Sequence, residues 1–172
     1  MHAAVTRSTF EALLERCIAL ARFSNVLFAL MFSGAGVALS VLIAYLLICL
    51  GVKQGERAEL LQFGAIGFIW MALVAAPLLE TLLLQQLPIV LARRLGMSSG
   101  LQLAIGAVPF AAAHFTSGLV TGLAAGAVGG LVLSLAYLTF IGQSKMKAFC
   151  MTASIHALQN VVPVVLYFRG LH

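Results

Sequence analysis

The chain has five acids, and only Glu80 lies inside an apolar run. Glu11, Glu15, Glu56 and Glu59 stand in short polar stretches within reach of water. Between Leu60 and Ala92, Glu80 is the one charged residue. Two later apolar runs hold one histidine each, His114 in PFAAAHF and His156 in ASIHALQN. Asn160 follows His156 by four positions, so a helix puts the two on one face. A carboxylate at the centre of a bilayer costs roughly 2.5–3.5 kcal/mol on insertion scales, which makes it a functional-site candidate with partners close by. A carboxylate drawn out of water becomes a better base. One histidine can share its proton, while a second histidine and an amide can donate hydrogen bonds to a developing oxyanion. With no serine or cysteine nucleophile in a recognisable motif, that set points to an activated water and hydrolysis of an amide bond at or within a membrane. The structural alternative is a protonated Glu80 bonded between helices, with His156 and Asn160 as interhelical contacts worth ~0.6 kcal/mol on average.

Composition says what must position these groups. Hydrophobic residues make up 62% of the 172 positions and charged residues 9%, against about half and a quarter in soluble domains. This predicts an all-α, polytopic integral membrane bundle of about five to six transmembrane helices. The net charge of +5 resides largely in basic residues flanking apolar runs, so topology accounts for it and no nucleic-acid partner is expected. Cys17, Cys49 and Cys150 lack metal or redox spacing and read as small apolar filler.

Residues 1–24 form an N-terminal amphipathic, interfacial helix in this reading, and residues 25–172 a transmembrane domain. Ser8 and Glu11 make a capping-box pattern that starts the first helix. Its apolar face lies on the membrane surface, or else packs on the bundle. The first apolar run is too long for a cleavable signal. Five spans follow, roughly Asn25 to Leu50, Leu60 to Ala92, Leu101 to Phe115, Gly118 to Ile141 and Phe149 to Phe168. The second, at ~33 residues, would measure about 50 Å against a ~30 Å hydrocarbon core. Pro77 and Pro88 are the expected places for it to bend. Gly118, Gly122, Gly126, Gly130 and Ser134 recur every fourth residue, a ridge for close packing inside the bundle or, less favoured, for a homo-oligomer seam. With the N-terminus in the cytoplasm, Arg7, Arg16, Arg22, Arg93, Arg94, Lys145 and Lys147 fall inside. Lys53, Arg57 and Arg169 fall outside. The bias orients a multi-pass protein of a cell inner membrane. On these spans Glu80, His114, His156 and Asn160 all come to a depth of roughly 10–20 Å, so one intramembrane cavity lined by all four is expected.

In that order, Glu80-Thr81-x-x-x-Gln85, Phe110-x-x-x-His114 and His156-x-x-x-Asn160 resemble the three motifs of the CPBP family. That family, also called the Abi family, contains the CAAX prenyl endopeptidases and many bacterial intramembrane proteases. Its usual pattern is E-E-x-x-x-R, F-x-x-x-H and H-x-x-x-N or H-x-x-x-D. The resemblance covers Pro77 to Val161, with Thr81 in place of the second glutamate and Gln85 in place of the arginine. It implies a glutamate-dependent intramembrane endopeptidase in which Glu80 activates water, His114 works with it, and His156 and Asn160 hold the oxyanion. Thr81, Gln85 and Phe110 then orient the acting groups. The substrate is a membrane-anchored protein or peptide, and prenylation is not assumed. The alternative is a non-proteolytic scaffold or immunity factor of the same fold. A proton-coupled transporter would need a polar path across both leaflets, and too few polar residues are present for one. Glutamate, two histidines and asparagine could ligate zinc, but the chain has no H-E-x-x-H motif and the glutamate–histidine chemistry requires no cofactor.

Overall fold

In a computed structural model, which describes residues 8–53 and 64–169, every regular element is helical. Among the described residues six helices run in sequence: α1 (Thr9–Phe23), α2 (Asn25–Cys49), α3 (Gly64–Arg94), α4 (Ser99–Phe115), α5 (Leu119–Ile141) and α6 (Lys145–Phe168). The fold is an all-α bundle. Helices α2, α3, α5 and α6 are each long and apolar enough to cross a membrane, and α4 is a shorter apolar helix of 17 residues. Large apolar side chains such as Leu30, Leu42, Ile66, Leu79, Val108 and Leu131 face outward. A surface this apolar requires lipid or protein around it, and the chain is a helical membrane protein. The sequence start of the second span at Leu60, Arg7 and Arg57 lie outside the described residues.

Serines start α1, α2, α4 and α6. Ser8 makes the capping box, its Oγ accepting from Glu11 N at 3.2 Å while Glu11 Oε2 accepts from Ser8 N at 3.1 Å. Ser24 ends α1 and caps α2, and Ser98 caps α4. Ser144 accepts from Lys147 N at 3.0 Å, so α6 begins four residues before the expected Phe149. The cap and the lysine stems extend the helix beyond its apolar stretch. After α3 the chain turns at Gly96, whose φ of +70° suits glycine.

Helix α5 is the axis of the bundle. Its most apolar stretch is 61% buried inside the protein, against 28% or less for the other three long helices. It packs against α1, α2, α4 and α6. Phe28, Leu133, Tyr137, Phe140 and Ile155 are fully buried around its C-terminal half, where the Phe28 and Phe140 rings meet edge to face with centroids 5.2 Å apart. Helix α1 turns its apolar face to this core, with Cys17 and Ala21 buried and Phe10, Leu14 and Leu20 packed alongside.

The glycine row serves α4. A Cβ at Gly130 would meet the Ala107 carbonyl oxygen at 2.6 Å, and one at Gly126 would meet His114 Cβ at 2.7 Å. A Cβ at Gly122 would run into the Phe115 ring. The ridge therefore works inside one bundle, drawing α4 against α5 and setting where His114 sits. Gly34, by contrast, has nothing within 4 Å. Gly130→Ala is expected to cost about 1–3 kcal/mol, the range for overpacking. Gly34→Ala is expected to be neutral or mildly stabilising. Reversible unfolding in a bilayer mimic measures both, and equal effects would contradict this packing.

Candidate active site

Glu80 ends a five-residue α-helical stretch, Ala76–Glu80, with a π turn on each side, Met71–Ala75 and Thr81–Gln86. The prolines explain both. A proline ring clashes with the carbonyl four residues earlier and offers that carbonyl no N–H. Four residues before Pro77 is Leu73, and four before Pro88 is Leu84, each inside a π turn. The sequence predicts bends at these prolines, and the structure has local widening of the helix in a form associated with functional sites. A third π turn, Gly122–Ala127, opens α5 beside the same region.

Helix α6 brings His156 to Glu80. The imidazole Nε2 lies 3.8 Å from Glu80 Oε2, within ion-pair range and too long for a hydrogen bond. His156 is buried, whereas the Glu80 side chain keeps 31% of its surface open. Phe110 on α4 organises both histidines. Its ring stacks on His114 with centroids 4.4 Å apart and presents an edge to His156 at 5.4 Å. His114 Nδ1 is 2.9 Å from the Phe110 carbonyl oxygen. A carbonyl only accepts, so Nδ1 carries the hydrogen and the neutral ring keeps its lone pair on Nε2. Asn160, one turn after His156, donates from Nδ2 to the Ala72 carbonyl of α3 at 2.8 Å.

A cavity of about 240 Å³ adjoins these groups, walled by α2, α4, α5 and α6. Its polar lining comprises His114, His156, Asn160, Gln159, Ser40 and Thr121, and the rest is mostly apolar. The four residues singled out in the sequence are thus brought to one region on three helices. They do not all share the cavity wall, because Glu80 is outside it and joins the site through His156. The side chain in ion-pair range of Glu80 is also the histidine assigned to the oxyanion. Thr81 and Gln85 are fully buried on α3, whose Thr81–Gln86 turn packs on α4, α5 and α6. Among the described residues, no three His, Cys, Asp or Glu side chains form a metal-binding group.

Sequence reasoning gave Gln159, Ser40 and Thr121 no place in the site. Gln159 had a legible signal, since it follows His156 by three positions and shares its face. Its amide lies against Gly36 of α2, where any Cβ would overlap it. Ser40 gives no such local sign, because it reaches the site across the bundle, donating to the Ala124 carbonyl at 2.6 Å.

Compared with family models, with curated proteins and with solved structures, the chain matches none of them. The chemistry of the site therefore rests on its own residues. Phe110→Ala removes the ring that both histidines contact. It is expected to cost about 3–5 kcal/mol of stability and to shift the ¹⁵N ring resonances of His114 and His156. Unmoved resonances in a folded variant would contradict the role given to Phe110.

Proposed function

We propose that this chain is a glutamate-dependent intramembrane endopeptidase. The observation that supports the reading best is the approach of the Glu80 carboxylate to buried His156, beside a cavity lined by His114 and Asn160. The substrate is a protein or peptide anchored in the same membrane, and the enzyme sits in a cell inner membrane with its N-terminus cytoplasmic. The resemblance of the three motifs to the CPBP family favours the same activity.

The reaction runs by general-base catalysis. A water beside Glu80 gives up its proton to the carboxylate as its oxygen attacks the scissile carbonyl carbon. His114, with its Nε2 lone pair, orients that water. Negative charge builds on the former carbonyl oxygen, where His156 and Asn160 can donate hydrogen bonds. The asparagine amide nitrogen has two hydrogens, so one remains after the bond to Ala72. Collapse of the tetrahedral intermediate breaks the C–N bond, and the proton passes from Glu80 to the leaving amine. No cofactor enters this scheme. Thr81 and Gln85 hold the turn after Glu80 against the neighbouring helices.

A second reading, a scaffold without catalysis, is favoured by one observation, the use of Asn160 to bond a backbone carbonyl. The two readings separate at Glu80. Glu80→Gln preserves shape and removes the base, so turnover should fall by roughly 10²–10⁴-fold while folding survives. Comparing membrane proteomes of cells with the wild type and with Glu80→Ala should reveal a precursor accumulating in the variant. Normal processing in cells whose only copy is Glu80→Gln would refute the hydrolase and leave the scaffold.

A further inference from the structure

The π turn ahead of Glu80 strands one backbone carbonyl. In an α-helix the Ala72 carbonyl would accept from the N–H of residue 76. Here the Ala76 N–H turns to the Met71 carbonyl instead. In π geometry the donor for Ala72 would be the fifth residue on. That residue is Pro77, whose nitrogen bears no hydrogen. Neither helical pattern can satisfy Ala72, and in an apolar bundle no bulk water is at hand to do so. The donor comes from 88 positions away, as Asn160 Nδ2 bonds the Ala72 oxygen at 2.8 Å.

The π turn of α5 offers a parallel contact, although Gly129, the fifth residue after Ala124, keeps its N–H. There the Val128 N–H goes to the carbonyls of Leu123 and Ala125 and passes over Ala124. Ser40 Oγ from α2 donates to the Ala124 carbonyl at 2.6 Å. Two widened turns beside the cavity are thus each matched by a polar side chain from another helix.

We propose that Asn160 is a positioning residue whose amide supplies the hydrogen that Pro77 lacks, clamping α6 to α3 and fixing where Glu80 stands. Helix α6 then holds α3 at two points one turn apart, His156 against Glu80 and Asn160 against Ala72. Without the second point the Met71–Ala75 turn has no donor for Ala72 and is free to rewind, carrying Glu80 away from His156. The bond itself is independent of any activity, whereas its effect on turnover rests on the proposed hydrolysis.

A double-mutant cycle in a bilayer mimic tests this, using the full chain as wild type, Asn160→Ala, Pro77→Ala and the pair. Pro77→Ala restores a backbone N–H at position 77. In the wild-type background Asn160→Ala should lower the folding equilibrium constant roughly 3–20-fold, the span of measured interhelical hydrogen bonds. In the Pro77→Ala background the loss should shrink below about twofold. Equal losses in both backgrounds overturn the proposal. Should Pro77→Ala not fold, the ¹³C shift of the Ala72 carbonyl decides: a shift moved by Asn160→Ala supports the clamp, and an unmoved one overturns it. Activity separates positioning from direct donation to substrate. Because the pair still lacks the amide hydrogen offered to the oxyanion, cleavage lost in Asn160→Ala should be regained only in part in the pair, and that partial rescue supports positioning; loss undiminished in the pair overturns any effect of the clamp on turnover. The stability cycle reads the clamp and the precursor comparison reads the hydrolase, so either can fail alone.

Discussion

Glu80 carries a carboxylate into an apolar bundle, at a cost of roughly 2.5–3.5 kcal/mol for a residue at mid-membrane. The helices around it are arranged to supply what water would. Helix α6 brings His156 within 3.8 Å of the carboxylate, and Phe110 of α4 packs against that histidine. The glycine ridge of α5 lets α4 come close enough for His114 to join them, since a Cβ at Gly126 would collide with it. Core packing and the polar cluster are therefore one problem solved together. The same small residues that pack α4 on α5 set the distance between the two histidines.

Backbone polarity is the second constraint, and it follows from the first. Helix α3 has prolines on both sides of Glu80, and each removes a donor where no solvent can replace it. The widened turns at Met71–Ala75 and Thr81–Gln86 confine the disturbance to one turn apiece. They leave the five residues ending at Glu80 as an α-helical segment between two irregular ones. A carboxylate on such a segment is tied to its neighbours by side chains rather than by the regular ladder. That is why a single amide on another helix can matter to its placement.

Much of the architecture was legible in the sequence because apolar run length and capping serines are local signals. Ser8 with Glu11 announced the start of α1, and the long uncharged runs announced the spans. His156 with Asn160, and Phe110 with His114, are i,i+4 pairs and so were readable as shared faces. What escaped was set by contacts across the bundle. The prolines in α3 signalled a disturbance but not its π form, which depends on how the neighbours absorb the freed carbonyls. Asn160 could be read as a donor, yet nothing near it in sequence names Ala72 as its acceptor. The glycine row declared a close approach without declaring its partner, α4. Glu80 could be placed at the level of His156, but whether it faced the cavity or the flank of His156 turns on helix rotation, which an apolar run does not encode.

The contact between Glu80 and His156 in a lipid environment is what everything else at the site depends on. Solid-state NMR of the full chain in bilayers, with ¹³C at the Glu80 side chain and ¹⁵N at the His156 ring, measures it directly. A measurable carboxyl-to-Nε2 dipolar coupling is predicted, consistent with the 3.8 Å approach of Oε2 to Nε2, together with its loss when Glu80 is replaced by alanine. A folded protein whose Glu80 carboxyl shows no coupling to the His156 ring would contradict the contact and the chemistry built on it.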